Sequence, residues 1–134
     1  MTSCCPRSSP LVGESTMSTL GYSRDASAHE LDALTINDLR ATLAVLQKRG
    51  WCQHHAADSA GRVSLRMAVV LGVEANGERT TRSAAARRYN VNTAILSAAH
   101  TTVSIDRFND DMRTTYRIVV RAIVDAITAL RGRV

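Results

Sequence analysis

Two apolar stripes with helical spacing constrain the fold of this chain more than any other feature. The members of each stripe recur every three or four residues, which places them along one face of an α-helix. A helix of this kind has to bury its apolar face against other elements, so the pattern favours a bundle of helices. The stripes consist of Ile36, Leu39, Leu43 and Leu46, and of Tyr116, Val119, Ile123, Ile127 and Leu130.

The composition supports the same fold class. Apolar residues make up 45% of the 134 residues and aromatic residues only 4%, so aliphatic side chains and alanine have to build the core. Alanine loses no side-chain entropy on entering a helix, and the length suits one domain. We therefore predict an all-α fold, a compact bundle of four to five helices over residues 26–134. Residues 1–25 are rich in Ser, Thr, Gly and Pro, and we expect a disordered N-terminal arm there.

Capping residues suggest where the first helices begin and end. Residues 27–30 form a capping-box pattern, which predicts a short helix that ends near Leu34. Residues 35–38 repeat the pattern and predict a second, longer helix. That helix is expected to end at Gly50, because glycine is the usual residue just past a helix C-terminus.

Further helices are predicted downstream, separated by turns. Ser64 is expected to cap the first of them, and residues 90–92 are expected to form a turn between the second and third. Residues 101–113 are expected to be an irregular link. The expected helices span residues 65–74, 80–89 with Thr80 or Thr81 at the start, 92–100, and 115–130.

The segment that follows Gly50 contains the only Trp of the chain, and we predict a protein-binding loop there. An alternative interpretation is structural: Trp51 anchors the core, and Gln53 hydrogen-bonds loop backbone. Residues 51–53 and 62–63, on either side of the loop, also leave open a minimal hairpin. The candidate protein-binding residues are Trp51, Gln53, His54 and His55.

The same segment does not have the pattern of a metal or catalytic site. Cys52 precedes two histidines, but zinc sites usually take four ligands from paired motifs. A cysteine nucleophile also needs an oriented base, for which the sequence offers no third residue. Residues 109–111 hold an amide and two carboxylates without the spacing of a calcium loop, so turn or capping chemistry is the alternative. We predict no catalytic, cofactor or metal site and favour a protein that is not an enzyme.

Residues 81–101 give the most specific functional lead, a helix-turn-helix. Ala86 precedes the predicted turn, and a small residue at this spacing lets two helices cross closely. Polar residues of the second helix would then meet base edges, and arginines would meet phosphates. Ordinary packing of two bundle helices is the alternative, because the second helix is rich in alanine. The nucleic-acid-binding candidates are Arg79, Arg82, Arg87, Arg88, Asn92, Thr93 and Ser97.

Charge and cysteine content bear on the possible partners and the cellular compartment of the protein. A formal net charge of +5 permits attraction to acidic partners without demanding it. Three cysteines, two of them adjacent at Cys4 and Cys5, form no disulfide framework and suit a reducing, cytoplasmic compartment. The apolar run from Met67 to Val73 is much shorter than the roughly 20 residues that span a bilayer. We predict a cytoplasmic protein without a membrane segment.

Three short motifs together resemble a family of small, uncharacterised proteins from actinobacteria and their phages. They are Arg-Gly-Trp-Cys-Gln at 49–53, Gly-Arg-Val at 61–63 and Phe-Asn-Asp at 108–110. Here Ser64 stands where the family often has a second cysteine, and a Phe where it often has a Trp. That family is an all-helical domain of unknown function, so the resemblance implies the fold and no activity. The marker residues of the resemblance are Trp51, Cys52, Phe108, Asn109 and Asp110.

Together these observations predict a small, non-enzymatic helical binding protein. We expect it to be regulatory and to act through a protein partner. The alternative is a helix-turn-helix DNA-binding protein that uses residues 81–101 and their arginine cluster.

Overall fold

The computed structural model describes residues 20–77 and 82–133, with the side chains of the first helix described from residue 28 onward. Contacts divide the described residues into two units, with the boundary between Leu31 and Asp32. Of the predicted N-terminal arm, residues 1–19 lie outside the described residues. Residues 20–25, which were also assigned to the arm, instead form the first turns of a helix.

Five helices form the described part of the chain, and no strand occurs in these residues. The predicted all-α fold, with four to five helices, is therefore confirmed. In chain order the helices are α1 (Leu20–Arg49), α2 (Leu65–Ala75), α3 (Ala84–Ala98), α4 (Ile105–Asp110) and α5 (Tyr116–Arg131).

Local capping signals placed several helix ends correctly. The Ser64 hydroxyl accepts a hydrogen bond from the backbone N–H of Met67, so it caps α2. Thr115 caps α5 in the same way. Gly50 follows α1 with a φ of 87°, and its N–H donates to the carbonyl of Leu46. Each of these signals works through contacts within a few residues, which is why the sequence alone reveals it.

Two predicted breaks are wrong because the helices continue through them. The separate short helix and the restart at Thr35 do not exist, since Thr35 lies buried inside the single helix α1. The turn predicted at residues 90–92 lies in the middle of α3, which begins after Ser83. Val91 is fully buried there, and packing of this kind overrides the weak preference of asparagine for turns. Within the link predicted for residues 101–113, Ser104 caps the short helix α4, which the prediction missed.

The minimal hairpin is also wrong, although the predicted segments do pair. The backbone N–H of Cys52 donates to the carbonyl of Val63 at 3.0 Å, and the N–H of Val63 donates to the carbonyl of Gly50 at 3.0 Å. These bonds make an isolated bridge in which Trp51 and Val63 run parallel. A tight hairpin turn joins antiparallel strands. Because Trp51 and Val63 run parallel, the chain has to reverse its direction twice between residues 53 and 62.

Aliphatic side chains and Phe108, from residues 36 to 130, form one continuous core. Helix α3 packs against α2, α4 and α5, and its Val91 and Ile95 are completely buried. The inner stripes of α1 and α5 contribute as predicted, with one exception. Tyr116, assigned to the inner stripe of α5, is 39% exposed, because it lies in the first turn at the edge of the buried face.

Helices α1 and α2 approach closely at Gly72, which is buried in the middle of α2. A β-carbon at this position would lie 2.7 Å from the backbone nitrogen of Thr42 and 3.0 Å from the carbonyl carbon of Ala41. Such distances are too short for real contacts, and backbone atoms of a helix have little room to move. The glycine therefore sets how closely the two helices pack.

We expect Gly72→Ala to lower the free energy of unfolding by about 1–3 kcal/mol, the usual cost of overpacking a tight core. Urea denaturation followed by circular dichroism measures this loss. Gly132→Ala is the matched control, because a β-carbon there would meet nothing closer than 3.5 Å and its φ of −66° suits alanine. The control should be neutral or slightly stabilising. Equal urea midpoints of unfolding for the two variants would contradict the close approach of α1 and α2 at Gly72.

Candidate functional site

Asn109 connects the predicted binding loop to the start of α2 and to the end of α4. Its side chain is 1% exposed and makes four hydrogen bonds. Its Oδ1 accepts from Trp51 Nε1 at 2.6 Å and from the backbone N–H of Leu65 at 3.0 Å. Its Nδ2 donates to the carbonyl of Cys52 and to Oδ1 of Asp110. One buried amide thus joins the loop after α1, the first residue of α2 and the end of α4.

Gln53 fixes the turn between α4 and α5 to the same loop. Its Nε2 lies 3.0 Å from the carbonyl of Asn109, 2.9 Å from that of Asp111 and 3.4 Å from that of Thr114. Trp51 is half-buried against the core. Two of the four residues predicted to bind a partner therefore bind the protein's own backbone and core, in agreement with the structural alternative.

The other two predicted binding residues, His54 and His55, are exposed. His54 adopts a φ of 71°, and its backbone N–H donates to Oδ1 of Asp110 at 2.8 Å. This bond, together with the one from the Asn109 amide, lowers the pKa of Asp110 below its ordinary value. The carboxylate holds the backbone of His54, while the imidazole ring, 67% exposed, lies with its Nδ1 3.9 Å from Oδ2 of Asp110.

Cys52 is not placed as a nucleophile. Its side chain is buried, and Sγ lies 3.4 Å from the carbonyls of His55 and Arg62, to which the thiol can donate. Burial raises the pKa of the thiol, so the thiolate that nucleophilic chemistry needs is disfavoured at neutral pH. In the described ranges, no three His, Cys, Asp or Glu side chains come together as metal ligands would.

Met112, which the sequence analysis missed, lies at the tip of the turn between α4 and α5. Its side chain is 93% exposed. The turn beneath it is closed by a bond from the Thr114 N–H to the carbonyl of Asp111, and by another from the Arg113 N–H to the Asp111 carboxylate. A single methionine between charged residues has no periodicity, so only the structure reveals its position.

The predicted nucleic-acid-binding residues that the structure describes do not form one basic surface. Arg79 lies outside the described residues, and Arg82 is exposed. Arg87 is buried, with a side chain only 3% exposed. Arg88 and Asn92 are half-buried, whereas Thr93 and Ser97 are exposed.

Arg87 is unavailable to phosphates because it is paired with a buried carboxylate. Its Nε and Nη2 donate to the two carboxylate oxygens of Asp38 at 3.1 Å and 2.7 Å. Its Nη1 donates to the carbonyl of Gly77 at 2.6 Å. These bonds to Asp38 raise the pKa of the guanidinium. With the predicted turn also absent from α3, the helix-turn-helix interpretation loses the geometry on which it rested.

Comparisons with known proteins give one family match and assign no activity. Neither the curated proteins nor the solved structures give a match to this chain. None of the described helices has the length and apolar character needed to cross a membrane. A family model, described as a family of unknown function (DUF6197), matches residues 31–129, a range that includes Trp51, Cys52 and Phe108 to Asp110. The chain therefore belongs to this family of unknown function, DUF6197.

Proposed function

We propose that this protein is a small, non-enzymatic binding protein that docks a protein partner through Met112, His54 and His55. We call these three residues the docking surface. The observation that carries the proposal is the 93% exposure of Met112 on a turn whose backbone is held by Gln53. An apolar side chain of this size is exposed at a cost in solvation, which a partner would remove.

The bracing of the turn favours tight binding. Association loses affinity when loops have to become ordered, and here the loop and the turn are already bonded to each other. His54 is tied to Asp110 through its backbone, while Gln53 reaches the carbonyls on either side of Met112. The docking surface is thus presented with most of its backbone already fixed.

The chemistry of the three residues suits a protein partner. Methionine is flexible and polarisable and fits irregular apolar pockets, and it is enriched in protein–protein interfaces. The exposed imidazoles of His54 and His55 add hydrogen-bonding groups at the edge. We infer a regulatory role in the cytoplasm, a reducing compartment that suits the free thiol of Cys52.

Replacing Met112 by Asp should weaken partner binding at least tenfold, a loss of about 1.4 kcal/mol, because a charge would enter the apolar pocket of the partner. A partner captured from cells that express the protein is purified, and its affinity for each variant is measured by calorimetry. Tyr89→Ser is the matched control, since Tyr89 is another exposed apolar residue but lies on α3.

The control should bind like the wild-type chain. Equal affinity of the Met112→Asp variant and the wild-type chain would overturn the proposed docking surface. Failure of the wild-type chain to capture any partner would overturn the proposed function itself.

A further inference from the structure

The sulfur-containing side chains of the described residues differ widely in their access to solvent. Cys52 is only 8% exposed, and Met67 is half-buried against the core. Met112, in contrast, is 93% exposed. The methionines and cysteines of residues 1–19 lie outside the described residues. Of the three described sulfurs, the thioether of Met112 is therefore the one that an oxidant dissolved in water reaches most easily.

The thiol of Cys52 is protected by its surroundings as well as by its burial. Its Sγ lies 3.4 Å from the carbonyls of His55 and Arg62. Oxidation of a thiol starts from the thiolate, and burial raises the pKa of this group, so the reactive form is scarce at neutral pH. A thioether has no proton to lose, and the oxidation of methionine depends mainly on access to its sulfur.

Oxidation of Met112 would change the surface and leave the fold intact. Its side chain contributes nothing to the hydrophobic core of the described residues. The turn beneath it is held by the bond from the Thr114 N–H to the carbonyl of Asp111. Gln53 Nε2 also lies 2.9 Å and 3.4 Å from the carbonyls of Asp111 and Thr114. None of these bonds involves the thioether, so a change in its polarity does not disturb the turn that presents it.

We propose that Met112 is a redox modification site, at which a peroxide prevents docking of the protein partner by forming methionine sulfoxide. This inference rests on the proposed docking surface. A lone pair of the sulfur attacks one oxygen of hydrogen peroxide, so that an S–O bond forms and the O–O bond breaks. The sulfur loses two electrons to the peroxide. The departing hydroxide takes up the proton of the transferred hydroxyl group and leaves as water.

The sulfoxide changes the chemistry of the docking surface. It turns a flexible apolar side chain into a polar one. Burying a polar group without a hydrogen-bond partner costs free energy, so an apolar pocket that accepts the thioether disfavours the sulfoxide. A methionine sulfoxide reductase restores the thioether. In that step a dithiol is oxidised to a disulfide and the oxygen leaves as water, which makes the modification reversible.

Peptide mapping after graded exposure to hydrogen peroxide tests the modification site. Cleavage after lysine and arginine places each of the four methionines in a different peptide, so mass spectrometry follows each one separately. Met112 should gain oxygen about tenfold faster than Met67, because oxidation follows exposure. In denaturant the two rates should converge, since unfolding removes the difference in exposure. Similar rates for Met112 and Met67 in the folded chain would overturn the inference.

The affinity for the captured partner tests the effect on docking. The wild-type chain, oxidised and then freed of peroxide before mixing, should bind the partner about tenfold more weakly, and treatment with a reductase should restore its affinity. Met112→Leu is the matched control, because leucine keeps the apolar volume without the sulfur. It retains Met67 and every cysteine, so a loss caused by oxidation elsewhere would also appear in this variant. We expect it to bind like the untreated wild-type chain before and after exposure to peroxide.

Two results of the affinity measurement would overturn the inference: an oxidised wild-type chain that keeps its full affinity, or a Met112→Leu variant that loses affinity on oxidation as the wild type does. Failure of this inference and failure of the proposed function look different. If Met112→Asp binds weakly while the oxidised chain binds fully, the redox step alone is wrong. If Met112→Asp also binds like the wild type, the docking surface itself is wrong.

Discussion

Replacing Asp38 by Ala is expected to lower the free energy of unfolding by about 3–5 kcal/mol, the usual cost of breaking a buried ion pair from one side. Asp38 and Arg87 have side chains 1% and 3% exposed. Without the carboxylate, the guanidinium of Arg87 would remain in the core with only the carbonyl of Gly77 as a partner. An unpaired buried charge of this kind costs far more than a lost surface contact.

The position of Asp38 adds to the expected effect. Its Oδ1 also accepts a hydrogen bond at 2.7 Å from Nδ2 of Asn76, the residue that follows α2. Asp38 belongs to α1 and Arg87 to α3. The carboxylate therefore joins α1 to the end of α2 and to α3, and its removal takes away an acceptor from donors on both of these elements.

Chemical denaturation of three variants separates the effect of losing one partner of the Asp38–Arg87 pair from the effect of replacing the whole pair. The double variant Asp38→Leu with Arg87→Met should lose less stability than Asp38→Ala, because replacing a whole buried pair by apolar residues leaves no unpaired charge. Asp106→Ala is the exposed control, since its 3.1 Å pair with Arg66 lies in solvent and should change stability by less than about 1 kcal/mol. A similar small loss for Asp38→Ala would show that the buried pair contributes no more than the exposed one.

The same pair illustrates what the sequence could not reveal. Arg87 lies in an alanine-rich segment beside another arginine, where a solvated or phosphate-binding role is the natural prediction. Its burial depends on Asp38, a residue from another helix that the capping pattern had assigned to a helix start. Local patterns predict caps and apolar stripes well because they depend on neighbours within a few residues. They do not predict which charges tertiary packing encloses.

The loop after α1 shows a similar division between local and long-range information. Its Trp and Gln are distinctive in the sequence, and local sequence is compatible with both a binding role and a structural role. The choice between them depends on Asn109, which is far away in sequence and was itself assigned to capping or turn chemistry. Met112 became a candidate only once the turn that Gln53 braces was visible.

Replacing Asn109 by Ala is expected to lower the free energy of unfolding by about 2–5 kcal/mol. The change removes the acceptor for the indole N–H of Trp51 and for the N–H of Leu65, and each buried donor left unsatisfied costs about 1–3 kcal/mol. Because Trp51 is the only tryptophan of the chain, its fluorescence reports on the loop directly. We expect an emission shift to longer wavelength as the indole becomes more exposed to water.

Asn109→Asp refines the same test, because it keeps the acceptor oxygen but replaces the amide nitrogen by a second carboxyl oxygen. In the wild-type chain that nitrogen lies 2.8 Å from Oδ1 of Asp110, so the variant places two carboxyl groups side by side. Burial and the neighbouring charge would raise the pKa of the new carboxyl in the folded state. The folded protein then binds a proton more tightly than the unfolded chain, so stability should fall as pH rises from about 4 through the raised pKa.

Asn92→Ala is the matched control for both variants of Asn109. Oδ1 of Asn92 is buried but accepts no hydrogen bond within the described part of the chain, and alanine suits its position inside α3. The control should be neutral or slightly stabilising, with unchanged tryptophan emission and no new dependence on pH. If Asn109→Ala behaved like this control in chemical denaturation, the amide would not be what joins the loop, α2 and α4. If instead Asn109→Ala unfolds at much lower denaturant than Asn92→Ala, the Asn-Asp motif is explained by structure, because its asparagine holds the Trp-Cys-Gln loop in place.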